Sequence, residues 1–237
     1  MIVHKAKGPY EAFVKRVIDI IISILVMVLF CWLYAIIAIL VRIKLGSPVI
    51  FAQDRPGRID PRTGKEKIFK LYKFRSMTDK RDANGELLPG KERMTPFGAK
   101  LRATSLDELP EIVNIFKGDM SLIGPRPLAM QYLPYYTEQE RVRHSVRPGL
   151  TGLAQANGRN NLKWEEKFAY DIEYVNNITL LMDIKIIFKT LGVILHGEEK
   201  YIRHVKIEDY CKLRTGAKAL WDKETSFSKL FIPKRAV

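Results

Sequence analysis

The longest hydrophobic feature of the chain is an apolar run from Ile20 to Val41, which holds no charge and only Ser23 as a clearly polar residue. As a helix rising ~1.5 Å per residue it is ~33 Å long, about the hydrocarbon thickness of a bilayer. A core helix of a soluble domain keeps a polar face, which this run lacks. No small-residue cleavage site follows it, as a signal peptide requires. Lys5, Lys7, Lys15 and Arg16 precede the run, and Arg42 and Lys44 follow it. Positive charge marks the cytoplasmic side. The segment therefore either spans with one end against that bias, or dips in and returns to the same face. Re-entrance is the expectation.

After Gly46-Ser47-Pro48 the pattern changes. Val49–Ala52 and Ile68–Phe74 are β-prone, and the turn-rich stretch between them predicts a long-looped hairpin. Period-two alternation puts Lys73 and Arg75 on one face of the second strand. Residues 78–98 are polar and punctuated by Gly and Pro, which predicts a mobile surface loop. A helix is expected from Ser105 to Lys117, with a stripe of Leu106, Leu109, Ile112 or Val113, and Phe116, stopping at Gly118. A second amphipathic helix is expected over Leu162–Val175, carrying Trp164, Phe168, Ile172 and Val175 on one side. Residues 179–195 form a third, unusually apolar helix, suited either to a membrane interface or to a core. The organisation predicted is a membrane module (residues 1–47), a globular domain (48–196) and a C-terminal extension (197–237). The fold class is α+β, mostly helical.

Forty Lys and Arg against 26 Asp and Glu give a formal charge of +14. That surplus favours an anionic partner: nucleic acid, an anionic membrane or a phosphorylated substrate. Cys31 and Cys211 make no CxxC or Cys/His cluster, so neither a disulfide framework nor a zinc site is suggested.

The chemistry concentrates at Arg102-Ala-Thr-Ser-Leu-Asp-Glu-Leu-Pro110. Two adjacent carboxylates, Asp107 and Glu108, stand at a predicted helix start. Ser105 with Glu108 is a capping-box pattern, and Asp107 suits the first turn beside the helix dipole. The neighbours suggest more than capping. Arg102 precedes the pair, and Pro125-Arg126-Pro127 follows in a rigid loop with Gly124. Arg143, His144, Arg147 and Arg159 come next, among Pro148, Gly149 and Gly152. Arg forks and turn amides around an acidic helix tip are the setting a diphosphate needs.

Five ordered stretches carry a resemblance to a known family: Phe51-Ala-Gln-Asp-Arg-Pro-Gly57, Tyr72-Lys-Phe-Arg-Ser-Met77, Thr104-Ser-Leu-Asp-Glu-Leu-Pro110, Lys117 to Leu128, and Val146 to Gln155. Together they make residues 10–195 resemble the bacterial sugar transferases, and more closely the small monotopic phosphoglycosyl transferases. The resemblance implies transfer of a sugar phosphate from a UDP-sugar to polyprenyl phosphate at the cytoplasmic face of the bacterial inner membrane. It implies Asp107 as the nucleophile forming a covalent phosphosugar intermediate, and Glu108 as its partner acid, with both carboxylates holding Mg²⁺. It also implies Arg102 and Lys73 as cations near the phosphates, and Arg126 between Pro125 and Pro127 at the uridine end. Arg75, Arg147 and Arg159 are further candidates for phosphate binding. The implied partners are the UDP-sugar, the polyprenyl phosphate and membrane lipid, with no nucleic acid. Two departures stand out. Cys31-Trp32 occupies the place of the helix-breaking Ser-Pro of relatives, and Leu153 the place of a Trp. The rival class is a membrane-anchored binding protein holding anionic lipid or nucleic acid, which has no need of an acidic tip among cations.

Overall fold

The computed structural model describes residues 4–158 and 162–196. Arg159 and the whole extension 197–237 therefore lie outside the described residues. A wide helical turn (Tyr10–Val14) leads into α1 (Lys15–Leu29), and α2 (Cys31–Leu45) follows at once. No single described helix is long and apolar enough to cross a membrane, but α1 with its leading turn and α2 pass that test as a pair bent by 64°.

The bend needs no proline. It falls at Phe30 (φ −108°, ψ 12°), and the Trp32 indole N–H donates to the Leu29 carbonyl (3.0 Å). A side-chain donor thus covers a carbonyl at the break, one of the recognised ways a helix tolerates a sharp kink. Packing holds the two arms apart. On α1, the carboxylate of Asp19 accepts from Ser121 Oγ (3.1 Å) and the Leu122 amide (2.9 Å). On α2, Ile37, Val41 and Leu45 bury against Phe74 and Leu101.

The hairpin is longer and its loop shorter than the β-prone runs predict. Strands β1 (Ile50–Ile59) and β2 (Glu66–Phe74) pair antiparallel from Ile50↔Phe74 to Ile59↔Glu66, with a register shift between Pro56 and Ile59. Pro56, without an N–H, sits where the ladder slips, and so does not end the strand. The predicted surface loop contains α3 (Gly90–Arg93) and the start of α4 (Pro96–Ala103), whose first turn is capped by Thr95.

The expected helix from Ser105 splits. Leu106–Glu108 is a tight 3₁₀ turn, and α5 runs from Glu111 to Lys117. Ser105 has φ 55° and makes no capping bond, so the capping box does not form. Pro110 explains the division, since it begins a helix better than it continues one. The buried face of α5 is Glu111, Ile112, Asn114 and Ile115, whereas Val113 and Phe116 are exposed. Gly118, at φ +89°, ends the helix in the left-handed region.

Strand β3 (Ser121–Ile123) pairs in parallel with β4 (Gly149–Thr151). Between them lie a 3₁₀ turn (Met130–Tyr135), α6 (Glu138–Arg141), opened by a capping box of Thr137 and Glu140, and a second 3₁₀ turn (Val142–Ser145). The chain continues as α7 (Leu153–Gly158), α8 (Trp164–Asn176) and α9 (Leu180–His196). Phe168 and Val175 of α8 are buried as its stripe predicts. Helix α9 buries Asp183 and Ile186 but exposes Leu181, Phe188 and Leu191, so it is both a packing helix and an apolar outer surface.

Candidate active site

The acidic tip is placed by α5 and β2 together. Asn114, fully buried, accepts from the Tyr72 amide (3.0 Å) and donates to the Lys70 carbonyl (2.7 Å). Its side chain extends the hydrogen-bonding edge of β2 and fixes α5 against it. Arg16 closes the far end of α5 by donating to the carbonyls of Ile115 (2.6 Å) and Phe116 (2.8 Å), where the helix dipole favours a cation. Tyr34 on α2 donates to the carbonyl of Leu109 (2.5 Å). The turn that carries Asp107 and Glu108 is therefore held from the sheet and from the bent helix pair.

The two carboxylates have opposite surroundings. Glu108 accepts from Lys73 Nζ (2.6 Å) and from Arg126. Burial pushes its carboxyl up, but Arg126 and Lys73 outweigh that and bring it down to about 2. Asp107 is 7% exposed, and no side chain among the described residues bonds to its carboxylate. Burial raises it; the attraction of Lys73 and Arg102 offsets that only in part, while Glu108 raises it further. One acid is locked as an anion by two cations. The other is a buried carboxylate that no side chain among the described residues ties down, with cations within electrostatic reach.

Lys73 also pairs with Glu111 (3.0 Å), a third acid that is 1% exposed. Burial raises Glu111, and Lys73 counters it. Glu111 is not among the sequence candidates: one Glu at the start of a helix has the look of dipole compensation. The alternation that aims Lys73 at α5 was the available signal.

The Pro125-Arg126-Pro127 loop is fixed on three sides. The Gly149 amide donates to the Pro125 carbonyl (3.0 Å), Arg143 to that of Arg126 (2.6 Å), and Arg55 to that of Pro127 (3.3 Å). Gly124 and Gly149 approach so closely that a Cβ on either would collide with the other strand's backbone. Arg143 is itself buried and paired with Asp171 (2.8 Å), so it braces Arg126 rather than facing the acidic tip. His144 is buried as well.

Of the remaining candidates, Arg102 donates to Ser76 (2.8 Å) and stays exposed near Asp107. Arg75 binds Asp79 (2.6 Å) and the carbonyls of Ser47 and Met77, so strand alternation does not bring it to the tip. Arg147 donates to the Gly118 carbonyl (3.0 Å), at the opposite end of α5 from the acids. Each satisfies a local carbonyl or ion pair that sequence spacing does not disclose. No group of three metal-ligating side chains occurs among the described residues.

The family profile of the bacterial sugar transferases matches residues 10–197. The chain is 45% identical over 197 residues to the uncharacterized sugar transferase EpsL of Bacillus subtilis, covering 83% of this chain and 95% of EpsL. It is 36% identical over 206 residues to the undecaprenyl-phosphate galactose phosphotransferase of Salmonella typhimurium, covering 80% of this chain but 42% of that protein. With the UDP-glucose:undecaprenyl-phosphate glucose-1-phosphate transferase of Klebsiella pneumoniae it shares 38% over 187 residues, 75% of this chain and 39% of the relative. The chain thus spans nearly all of EpsL and less than half of the two longer enzymes. With the acidic tip and its cations lying inside the matched region, this chain is an enzyme of the bacterial sugar transferase family.

Proposed function

We propose that the chain is a phosphoglycosyl transferase that moves a sugar phosphate from a UDP-sugar to polyprenyl phosphate, giving polyprenyl diphosphosugar and UMP. The observation that carries this reading is the asymmetry of the acid pair: Glu108 is neutralised by Lys73 and Arg126, while Asp107 is buried with no side-chain ion pair among the described residues. A desolvated carboxylate that no side-chain salt bridge ties down is a competent nucleophile. In the proposed first step an Asp107 oxygen attacks the sugar-linked phosphorus. The bond to the bridging oxygen breaks, and UMP leaves with its electron pair. In the second step a phosphate oxygen of the lipid attacks the same phosphorus and returns the carboxylate. Lys73, Arg102 and Arg126 offset the repulsion between a carboxylate and a diphosphate. The braced Arg126 loop holds the nucleotide end.

The donor set fits Mg²⁺, an ion that typically takes one or two carboxylates and completes its shell with phosphate oxygens and water. Asp107 and Glu108 would hold it, and when bound it would withdraw charge from the phosphates. The bent helix pair supports a monotopic anchor that enters and leaves on the cytoplasmic face of the inner membrane. The apolar outer surface of α9 would lie at the interface beside it. The reaction would be the first membrane step of a capsule, O-antigen, exopolysaccharide or protein glycan.

Incubation of the enzyme with UDP-sugar alone tests the proposal. About one equivalent of UMP per active site should appear and then stop, and intact mass should rise by one phosphosugar that maps to Asp107. UMP release only in the presence of the lipid would refute the covalent route.

A further inference from the structure

A groove of about 490 Å³ lies between α2, the β-hairpin and α5, walled by Tyr34, Ala35 and Ala38 on one side and by Ile50, Phe74 and Val113 on the other. We infer that it is the seat of the acceptor's hydrocarbon chain, holding the isoprene units nearest the phosphate. The inference rests on the proposed polyprenyl phosphate acceptor.

Three observations select this occupant. First, the groove is apolar almost throughout, as an unsaturated hydrocarbon requires and a sugar nucleotide does not. Second, its lining adjoins, along the chain, residues of the right kind. One wall is α2, whose neighbouring residues Trp32, Ile36 and Ile39 are exposed and apolar. The lining also includes Pro110, two positions after Glu108 and next to Leu109, whose carbonyl Tyr34 grips. An occupant on this lining would have the lipid-compatible α2 face on one side and, near Pro110, the turn bearing Glu108. Lys73, between Tyr72 and Phe74 in sequence, is turned to the other face of β2 and paired with Glu108. Third, size fits a segment and not a whole lipid. At roughly 30 Å³ per carbon-sized group, the groove takes about three isoprene units. The rest of a long chain would remain in the bilayer, so the groove reads the proximal units only.

The small residues are central to this reading. Ala35 and Ala38 leave the space open on one wall, and Ala35 and Val113 are exposed, so larger side chains at those two positions enter the groove without displacing core atoms. The test uses the full chain in nanodiscs, as wild type, Ala35→Trp and Val113→Trp. The acceptors are undecaprenyl phosphate and geranyl phosphate, which has two isoprene units. The ratio of KM for the long acceptor to KM for the short one should rise roughly tenfold in each variant, because only the long acceptor uses the full groove. In the wild type, a polyprenyl phosphate with a diazirine on its third isoprene unit should crosslink to peptides carrying Ala35–Ala38 or Pro110–Val113.

An unchanged KM ratio overturns the inference, as do crosslinks confined to other segments. If a second copy covers the groove, the variants change the oligomeric state at an unchanged ratio, which is also a refutation. Donor-only UMP release reports whether each variant still has a folded site, and where it is lost the wild-type crosslink decides. If the wild type itself releases no UMP from donor alone, the two-step mechanism fails while the crosslink and the KM ratio still decide the groove.

Discussion

Replacing Glu108 by Gln keeps the shape of the side chain and removes its charge. In the native site that charge accepts from Lys73 Nζ at 2.6 Å and from Arg126. The two cations bring the carboxyl from 4.5 down to about 2, which at ~1.4 kcal/mol per unit corresponds to about 3 kcal/mol of stability at neutral pH. Lys73 keeps Glu111 as a partner in the variant, at 3.0 Å, so the loss does not strand it. For a chain of this size such a loss lowers Tm by on the order of 5–10 °C. Because the folded pKa is the depressed one, the contribution is fully present above about 4.5 and disappears as pH falls towards about 2. Thermal unfolding of both proteins in the same nanodiscs, at pH 7 and again at pH 2.5, checks it. The gap in Tm should be wide at pH 7 and mostly closed at pH 2.5. Equal Tm values at pH 7, or a gap that persists undiminished at pH 2.5, would refute the ion-cluster reading. Turnover of Glu108→Gln should also fall at least tenfold at low Mg²⁺ and recover in part as Mg²⁺ is raised.

Asp107→Asn should lower transfer at least 10³-fold with Tm within a few degrees of wild type, since the amide fills the same space but is no nucleophile; steady-state UMP release in a preparation free of deamidation measures it. Burial raises Asp107, so the acidic limb of the kcat/KM profile should fall above the ordinary aspartate range, and an apparent pKa below 3.8 would contradict the desolvated setting of the nucleophile. Asp171→Asn strands the buried Arg143 and should cost about 3–5 kcal/mol in unfolding free energy, with Arg126 loosened and KM for the donor raised; denaturant melts and donor titrations report both. A cysteine at Lys5 or Lys7, in a background lacking Cys31 and Cys211, should resist an impermeant thiol reagent in intact cells until they are lysed, whereas labelling of intact cells would put the N-terminus outside.

The parts of this protein that the sequence discloses are those set by local pattern. The hairpin, the α8 stripe and the acidic tip are written in alternation, helical spacing and adjacent charges. The parts it hides are choices among distant partners. Nothing near Arg143 says that Asp171, on another helix, will take it, or that Arg147 and Arg16 will both serve the C-terminal end of α5. The failed capping box has the same origin. Ser105 and Glu108 have the right spacing, but Lys73 and Arg126 bind Glu108 more strongly than a backbone amide could. Asn114 reads as a neutral helix residue until β2 is placed beside it. No proline marks the bend at Phe30, because the break relies on an indole N–H and on packing against α5, β3 and β2.

Asp19 turns the first helix into a height gauge. Its carboxylate is bonded to Ser121 and Leu122, and Arg16, nearly one turn earlier, grips the end of α5. Sliding α1 along its axis by even one residue, ~1.5 Å, would break all four bonds. In the proposed membrane-anchored state, the depth of the bent pair would therefore be passed without slack to the acidic tip. A locally thinner or thicker bilayer would then lower or lift the whole reaction centre relative to the plane of lipid phosphates, and turnover would follow that displacement.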